Sequence, residues 1–533
     1  MLNHSVAVKL TTIEFFLLYF NLFIFYGPLW FFLIFIFFII VQFFAEKKYP
    51  IGIFKPQTIT YFLSFTMLVI SFILYLNYDY YYSFLGGPEK SNYIRVLLIN
   101  LTMVITGIIF AFYKKASRKW VQIVFLIILV GSMIHSFTYF TLNHQKILPV
   151  ETQNDTFALK KLLPETFSPR KIRLVIMDGL SLKMIHSFAS DQKLLNFNLL
   201  LNQGVSGKIN TIKPNLTLSM LNTVLTGRRP AQFNRHSYNK FKITGMDHEF
   251  DVRPRYIFFR NSPYINTTGF YKRTENQLFD AIKGHYENNN RKCTEIVNPV
   301  GVDRYSERSL KSNNRFLPLF SDLLQKQEEN DEKYTTLKKC FFLDDYLKNQ
   351  IPNLKESDTY YTVVNLPGLG VISKYFYQFH LPQFFGSGNQ EEIEIKKYGW
   401  LIEKYYVYYD SIIGNLMSTT GENELLVILS FFEYDPLPVW RRILVNLFGQ
   451  KDVYVYKSIH SQGTILLFEK SALKADYSIK SLSIYDIYPT LLYYAGFQLS
   501  KDLQGEVLRE IFTEDFLLNN PVDINPDSTD FKQ

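Results

Sequence analysis

Cysteine is scarce in this chain of 533 residues, which has only Cys293 and Cys340. Two cysteines form at most one disulfide, so a scaffold held together by several disulfides is excluded. Their spacing leaves one disulfide and two thiols as open alternatives. The sequence also lacks a face of interleaved basic and aromatic residues. We therefore expect no nucleic-acid partner despite the net charge of +9.

Long apolar runs are abundant at the amino-terminal end. Aromatic residues make up 17% of the chain and are concentrated there, and five runs occupy about residues 10–26, 28–45, 58–77, 94–113 and 121–141. Most have the roughly 17–25 residues that a helix needs to cross the hydrocarbon of a bilayer. Five runs in succession argue against buried core helices and against a cleaved signal peptide. We predict that residues 1–141 form a multi-pass transmembrane domain of about five helices, with membrane lipids as partners.

Basic residues in two short loops give this domain an orientation. Lys47, Lys48 and Lys55 follow the second run, and residues 114–119 carry four lysines and arginines between the fourth and fifth runs. Cytoplasmic loops of membrane proteins carry an excess of Lys and Arg. With both loops inside, everything after about residue 142 is predicted to be extracytoplasmic, in the periplasm or outside the cell.

The rest of the chain alternates between apolar runs typical of buried strands and segments with a helical pattern. This order predicts an α/β domain with a mostly parallel sheet covered by helices on both faces. Residues 142–170 are predicted to be a linker, 284–340 a polar insertion with weak order, and 513–533 a polar tail. The predicted strands are 171–177, 205–212, 358–367, 424–430 and 464–470, and the predicted helices are 190–204, 218–225 and 390–419.

Two short motifs suggest phosphate chemistry. Asp178-Gly179 ends the first predicted strand, where a carboxylate can hold a metal, and Thr217 opens a predicted helix three residues after Pro214. The amino-terminal end of a helix favours an incoming anion, because its backbone N–H groups and dipole point toward it. Simpler interpretations are also open: Thr217 as a helix N-cap, Asp178 as a turn residue, and His460 as an ordinary surface or strand-end histidine.

Together these motifs resemble the alkaline phosphatase superfamily, in particular its type I phosphodiesterase and nucleotide pyrophosphatase branch. The resemblance covers about residues 171–512, and residues 481–496 look like the family's closing helix. It implies an αβα sandwich with two zinc-like ions, in which Asp178 and His460 bind metal and Thr217 is the nucleophile. A multi-pass membrane anchor before such a domain resembles lipoteichoic acid synthases and lipid A phosphoethanolamine transferases.

The sequence departs from the family's pattern at two metal-binding motifs. Where the family has Asp-x-x-x-His, this chain has Gly370 and Lys374, and the family's Asp-His after Ser430 is missing. Glu433 or Asp435 could substitute from one or two positions away. The groups that remain cannot supply the usual three or four protein ligands to each of two metals. We therefore expect at most one divalent metal, zinc or manganese, or none, with the Lys374 ammonium available to neutralise Asp178 or to hold a phosphate.

Two functions are compatible with a retained nucleophile segment and missing metal-binding motifs. The first is an integral membrane phosphodiesterase or phosphotransferase that acts on a phosphorylated lipid or envelope glycan through Thr217. The second is a pseudoenzyme of the cell envelope that binds a phosphorylated ligand or a partner protein. The intact segment around Thr217 favours the first function, and the missing metal ligands favour the second, so the sequence does not decide whether the protein is an enzyme.

Overall fold

The computed structural model divides the chain into two compact units, residues 1–155 with 230–271, and residues 156–229 with 272–533. It describes residues 169–233, 280–296, 332–352, 358–384, 392–436, 462–501, 503–522 and 524–525, the short stretches 81–86, 236–237, 239–243, 249–250, 265–270 and 455–457, and scattered positions between 68 and 105. The assignment of 230–271 to the first unit was not predicted from the sequence.

The strands that the structure describes are numbered in chain order. They are β1 (Lys171–Met177), β2 (Val205–Asn210), β3 (Asn239–Ile243), β4 (Glu249–Phe250), β5 (Ile265–Phe270), β6 (Lys292–Ile296), β7 (Thr359–Leu366), β8 (Glu424–Ser430), β9 (Tyr434–Pro436), β10 (Val455–Lys457), β11 (Gln462–Phe468), β12 (Tyr477–Ser483), β13 (Leu499–Ser500) and β14 (Ile524–Asn525).

Seven of these strands form the central sheet of the second unit, in the order β12-β2-β11-β8-β1-β7-β6. Each pair of neighbours is parallel except the two pairs that involve β11, which runs antiparallel between β2 and β8. The strands β4-β3-β5 form a separate antiparallel sheet in the first unit. The predicted mostly parallel sheet is therefore confirmed, with β11 as its one reversed strand among those described.

Helices cover the central sheet in two groups. Those described are α1 (Leu182–Ser190), α2 (Leu195–Gln203), α3 (Thr217–Thr226), α4 (Ala281–Asn288), α5 (Glu332–Lys348), α6 (Gly368–His380), α7 (Glu392–Tyr398), α8 (Leu401–Thr419), α9 (Ile484–Ala495) and α10 (Glu514–Asn519). One group packs α2, α5, α6 and α8 together, the other packs α3, α4 and α9 together, and α6 and α9 both contact β1. This is the α/β layering that the sequence predicts.

The central elements are buried, and this explains why their sequences are mostly apolar. Strand β1 is buried from Ile172 to Met177, as expected for a parallel strand covered on both faces, so it is a continuous apolar run apart from Arg173. The Arg173 guanidinium lies 2.9 Å from the Glu424 carboxylate, and both side chains are 1% exposed. Helix α3 is buried at every position from Leu218 to Thr226, which accounts for its lack of charged residues. These two elements fix the position of the candidate site described below.

The polar segment 284–340 was predicted to have weak order, and this is wrong for its described part. That part contributes most of α4, all of β6 at one edge of the central sheet, and the start of α5. The two cysteines also lie in these elements and do not form a disulfide. Burial raises the pKa of the Cys293 thiol to about 12, so this thiol is unreactive at neutral pH.

The first unit shows two exposed apolar stripes. The described residues between 68 and 81, and again between 90 and 105, are helical. Their exposed large apolar side chains recur at helical spacing: Leu68, Phe72 and Tyr75 in the earlier segment, and Ile94, Leu98, Leu101 and Ile105 in the later one. No helix within the described residues has the length and apolar character needed to span a bilayer. Most of the five predicted transmembrane runs lie outside those residues.

Candidate functional site

Asp178 follows β1 at the edge of the sheet where the parallel strands end. Met177 pairs with Leu366, the last residue of β7, and Ile176 pairs with Leu429 near the end of β8. Ligands of open α/β sheets bind at this carboxyl edge. Asp178 itself is 8% exposed. The candidate site is therefore built around Asp178, the start of α6 after β7, and the segment after β8.

The Asp178-Gly179 turn lies directly against the first turn of α6. Gly179 has a φ of +82°, a conformation that favours glycine, and a Cβ on Gly179 would lie 2.7 Å from the Gly370 Cα. A Cβ on Gly370 would in turn lie 3.0 Å from the Asp178 Cβ. The space beside Gly370 that a metal-binding side chain would need is thus filled by Asp178 and Gly179.

Thr217 is the first residue of α3, and the residue at the N-cap is Leu216. The interpretation of Thr217 as an N-cap is therefore wrong. No described side chain caps this helix, and Thr217 is half-buried. The first amides of a helix have no partner within the helix, so they and the Thr217 hydroxyl form an arrangement suited to an anion.

Asn215 links the loop before Thr217 to the carboxyl edge of the sheet. Its side-chain Nδ2 donates a hydrogen bond of 2.8 Å to the carbonyl oxygen of Phe431, which directly follows β8. Because β8 pairs with β1, this bond brings the loop before Thr217 to the same edge as Asp178. The sequence analysis did not select Asn215; its place two residues before the candidate nucleophile is the signal that could have found it.

Glu433 contacts the loop that follows Asp178. The Ser181 hydroxyl donates a hydrogen bond of 2.7 Å to the Glu433 carboxylate, and the Ser181 amide donates one of 3.0 Å to the Tyr406 hydroxyl. Burial raises the pKa of the Tyr377 hydroxyl, and the charges of Asp435 and Glu433 add to this effect. The two carboxylates proposed as substitute ligands therefore lie near the site, with Glu433 bonded to Ser181.

Asp178 also acts electrostatically on its surroundings. Burial raises the pKa of the Tyr434 hydroxyl, and the nearby negative charge of Asp178 raises it further. Tyr434 lies between Glu433 and Asp435 in the chain and opens β9, so this coupling connects Asp178 to the segment after β8. The result is an acidic edge with several tyrosines that stay protonated at neutral pH.

Lys374 is exposed on α6, one helical turn after Gly370. Its ammonium nitrogen lies 5.1 Å from the ring centroid of Tyr375. Residues four apart lie on the same face of a helix, so Lys374 shares the α6 face that contacts Asp178. Its role in holding a phosphate stays a prediction.

His460 lies outside the described residues, although β11 begins two positions later, with Gln462 paired to the last residue of β2. Two other histidines, His236 and His380, make structural contacts. The His380 Nδ1 lies 3.0 Å from the carbonyl oxygen of Gly399, and the His236 ring packs against Phe84 in the first unit.

The described residues do not fit a two-metal site. Among them, no group of three or more His, Cys, Asp or Glu side chains is arranged to hold a metal ion. The contact between Gly370 and Asp178 leaves no room for an added ligand at that position. We therefore derive no chemical step through a metal.

A cavity of about 670 Å³ lies at the opposite edge of the sheet. Its lining includes Lys171 at the start of β1, Tyr360 near the start of β7, and Gly496 after α9. This is the amino edge of the strands, away from Asp178 and Thr217. Since ligands of such sheets bind at the carboxyl edge, we do not assign the candidate function to this cavity.

Comparison with known families agrees with this geometry. Residues 173–430 match the family described as type I phosphodiesterase / nucleotide pyrophosphatase. The matched range contains most of β1 and all of α3, β7 and β8, and it includes Asp178 and Thr217. No curated protein matches the chain. Over residues 173–430 the chain is thus similar to phosphodiesterase-type domains, and members of this family typically depend on divalent metals.

Proposed function

We propose that the phosphodiesterase-type domain binds the phosphate group of a phosphorylated lipid or envelope glycan at the amino-terminal end of α3. The observation that carries this proposal is the half-buried Thr217 at the start of a helix that no described side chain caps. Backbone N–H groups and the helix dipole there attract a phosphate without a metal. We assign the positive charge that would hold the phosphate to Lys374, which lies one helical turn after Gly370 on α6.

Phosphodiester cleavage or transfer with Thr217 as nucleophile is the second candidate function. The match to a phosphodiesterase family and the partial exposure of Thr217 favour it. It would require zinc or manganese bound by Asp178 together with His460. The closed space at Gly370 favours the binding function over the enzymatic one.

A thermal-shift measurement tests phosphate binding. We expect phenylphosphonate to stabilise the detergent-solubilised full chain by about 2.7 kcal/mol at one hundred times its dissociation constant. Lys374→Ala should abolish this stabilisation, whereas Thr217→Ala should reduce it less, because the backbone amides remain. Lys404→Ala, an exposed lysine on α8, is the matched control and should behave like the natural protein.

The same preparation separates the two functions. Metal analysis should find at most one zinc or manganese per chain, weakly held, and bis(p-nitrophenyl) phosphate should not be hydrolysed. Two tightly bound zinc ions with hydrolysis lost in Thr217→Ala would instead establish the enzyme and refute the binding function as the main one.

We also propose that the first unit anchors the protein in a membrane with the second unit outside the cytoplasm. The five apolar runs, the two basic loops and the exposed apolar stripes at Leu68–Tyr75 and Ile94–Ile105 support this. A reporter that works only in the cytoplasm, fused after Gln533, should be silent. An active reporter would mean that the orientation is inverted, and release of the chain by alkaline carbonate would mean that it is not integral.

A further inference from the structure

A buried carboxylate of α5 lies at the start of α6. Asp344 is fully buried, and its Oδ1 accepts a hydrogen bond of 3.1 Å from the Gly368 amide. Its Oδ2 accepts bonds of 2.7 Å from the Tyr405 hydroxyl and 2.9 Å from the Tyr409 hydroxyl. The Tyr409 oxygen also accepts a bond of 3.3 Å from the Leu369 amide. Asp344 and Tyr409 therefore satisfy the first two amides of α6.

Local sequence gives α6 no cap of its own. Its N-cap residue is Pro367, which has no side-chain hydrogen-bonding group. Gly368 leaves room for the carboxylate, because a Cβ there would lie 2.1 Å from the Asp344 Oδ2 and 2.1 Å from the Tyr405 hydroxyl. The start of α6 is thus held by Asp344 of α5, which precedes Gly368 by 24 residues in the chain.

The held turn of α6 is the one that contacts the candidate site. Gly370 follows Gly368 by two residues and lies against Asp178 and Gly179. Burial raises the pKa of Asp344 to about 7, and the charge of Asp178 raises it as well, so the two carboxyl groups are close enough to interact. Asp344 and Asp178 therefore lie on either side of one short helical turn.

We propose that Asp344 is a positioning residue, which holds the first turn of α6 against the Asp178-Gly179 turn and thereby fixes the Asp178 carboxylate at the candidate site. The inference concerns the same edge of the sheet as the proposed phosphate-binding function and rests on it. Tyr405 and Tyr409 act with Asp344 by fixing the orientation of its carboxylate.

Helix α8, which carries Tyr405 and Tyr409, also offers a matched control. Asp410 of α8 is also a buried capping carboxylate, and it accepts bonds of 3.2 Å from the Asn196 amide and 2.7 Å from the Phe197 amide at the start of α2. Helix α2 carries none of the candidate site residues. Variants of Asp410 therefore remove a comparable cap without touching the Asp178 turn.

Hydrogen–deuterium exchange of the full chain in detergent tests the proposal without relying on activity. In Asp344→Ala, amides in peptides that cover 177–182 and 366–372 should exchange about tenfold faster, because loss of a bond to a charged group favours local opening. Asp344→Asn keeps an acceptor for Gly368 and should have a smaller effect. Asp410→Ala should accelerate exchange around 195–200 and leave 177–182 unchanged.

Phosphate binding supplies a second readout. With inorganic phosphate as the probe, the dissociation constant should rise about tenfold in Asp344→Ala and stay unchanged in Asp410→Ala. If the natural protein itself binds no phosphate, the proposed function fails, while exchange at 177–182 still decides the positioning role. Should Asp344→Ala not fold, Asp344→Asn and Tyr405→Phe are compared in the same way. Unchanged exchange at 177–182 in the folded variants would overturn the proposal.

Discussion

Restoring the family's aspartate at Gly370 should destabilise the protein instead of rebuilding a metal site. Gly370 lies within α6, so its backbone conformation accepts any residue and the cost is steric. Its added Cβ would lie 3.0 Å from the Asp178 Cβ and 3.1 Å from the Asp178 carbonyl oxygen. Overpacking of this kind costs about 1–3 kcal/mol, of which the better helix propensity of alanine offsets about 1 kcal/mol.

The two substitutions at this position separate size from charge. We expect Gly370→Ala to lower the free energy of unfolding by about 1 kcal/mol. Gly370→Asp should lower it by about 3 kcal/mol, because it also buries a poorly hydrogen-bonded carboxylate beside Asp178. At about 2 °C per kcal/mol, the melting temperature should fall by about 2 °C and about 6 °C respectively.

The measurement is a thermal melt of each variant with and without zinc, followed by metal analysis. Neither variant should bind more zinc than the natural protein. The reasoning is refuted if Gly370→Asp melts at the natural temperature and retains an additional stoichiometric zinc ion, because the space beside Asp178 would then be open.

Two further predictions concern stability away from the site. Burial lowers the pKa of His285 to about 4 from 6.5, so its stabilising contribution is present above pH 6.5 and is lost as the pH falls through 4. We expect the free energy of unfolding in urea to fall between pH 6.5 and 4 by up to about 3 kcal/mol more in the natural protein than in His285→Phe. An equal fall in the two proteins would contradict this. Glu424→Gln should lower the free energy of unfolding by about 3–5 kcal/mol, because it leaves the Arg173 charge buried without its charged partner. The double variant Arg173→Met with Glu424→Leu should have a free energy of unfolding within about 1 kcal/mol of that of the natural protein. Equal losses in the single and double variants would show that packing, and not the unpaired charge, dominates.

The sequence predicted the central sheet well because its strands are apolar runs with clear ends. Strands β1 and β8 have the predicted bounds, and α3 differs from its prediction by one residue at each end. Helix α5 was missed because its Lys and Glu content suggested weak order. Its later half is nevertheless buried almost continuously, at residues 340–345 and at Leu347. Because this burial includes charged residues such as Asp344, the composition of the segment did not reveal it.

The candidate site was predicted only where local motifs carry it. Asp178 at a strand end and Thr217 at a helix start were both recognisable from their neighbours in the chain. The start of α6 was not, because Pro367 and Gly368 give no helix signal and the group that caps them is Asp344. No pattern around Gly368 indicates a partner in another helix, so this part of the site required the three-dimensional structure.

The position of β11 has a consequence for how the protein folds during synthesis. This strand lies between β2 and β8, so the sheet joins only after residues 462–468 have left the ribosome. Until then the apolar strand β8 has an unpaired edge that can aggregate, and β2 lacks its partner β11. A chain cut after residue 430 would include the whole range that matches the phosphodiesterase family and still leave the sheet in two pieces. The stretch that matches the family is therefore shorter than the stretch that completes the sheet.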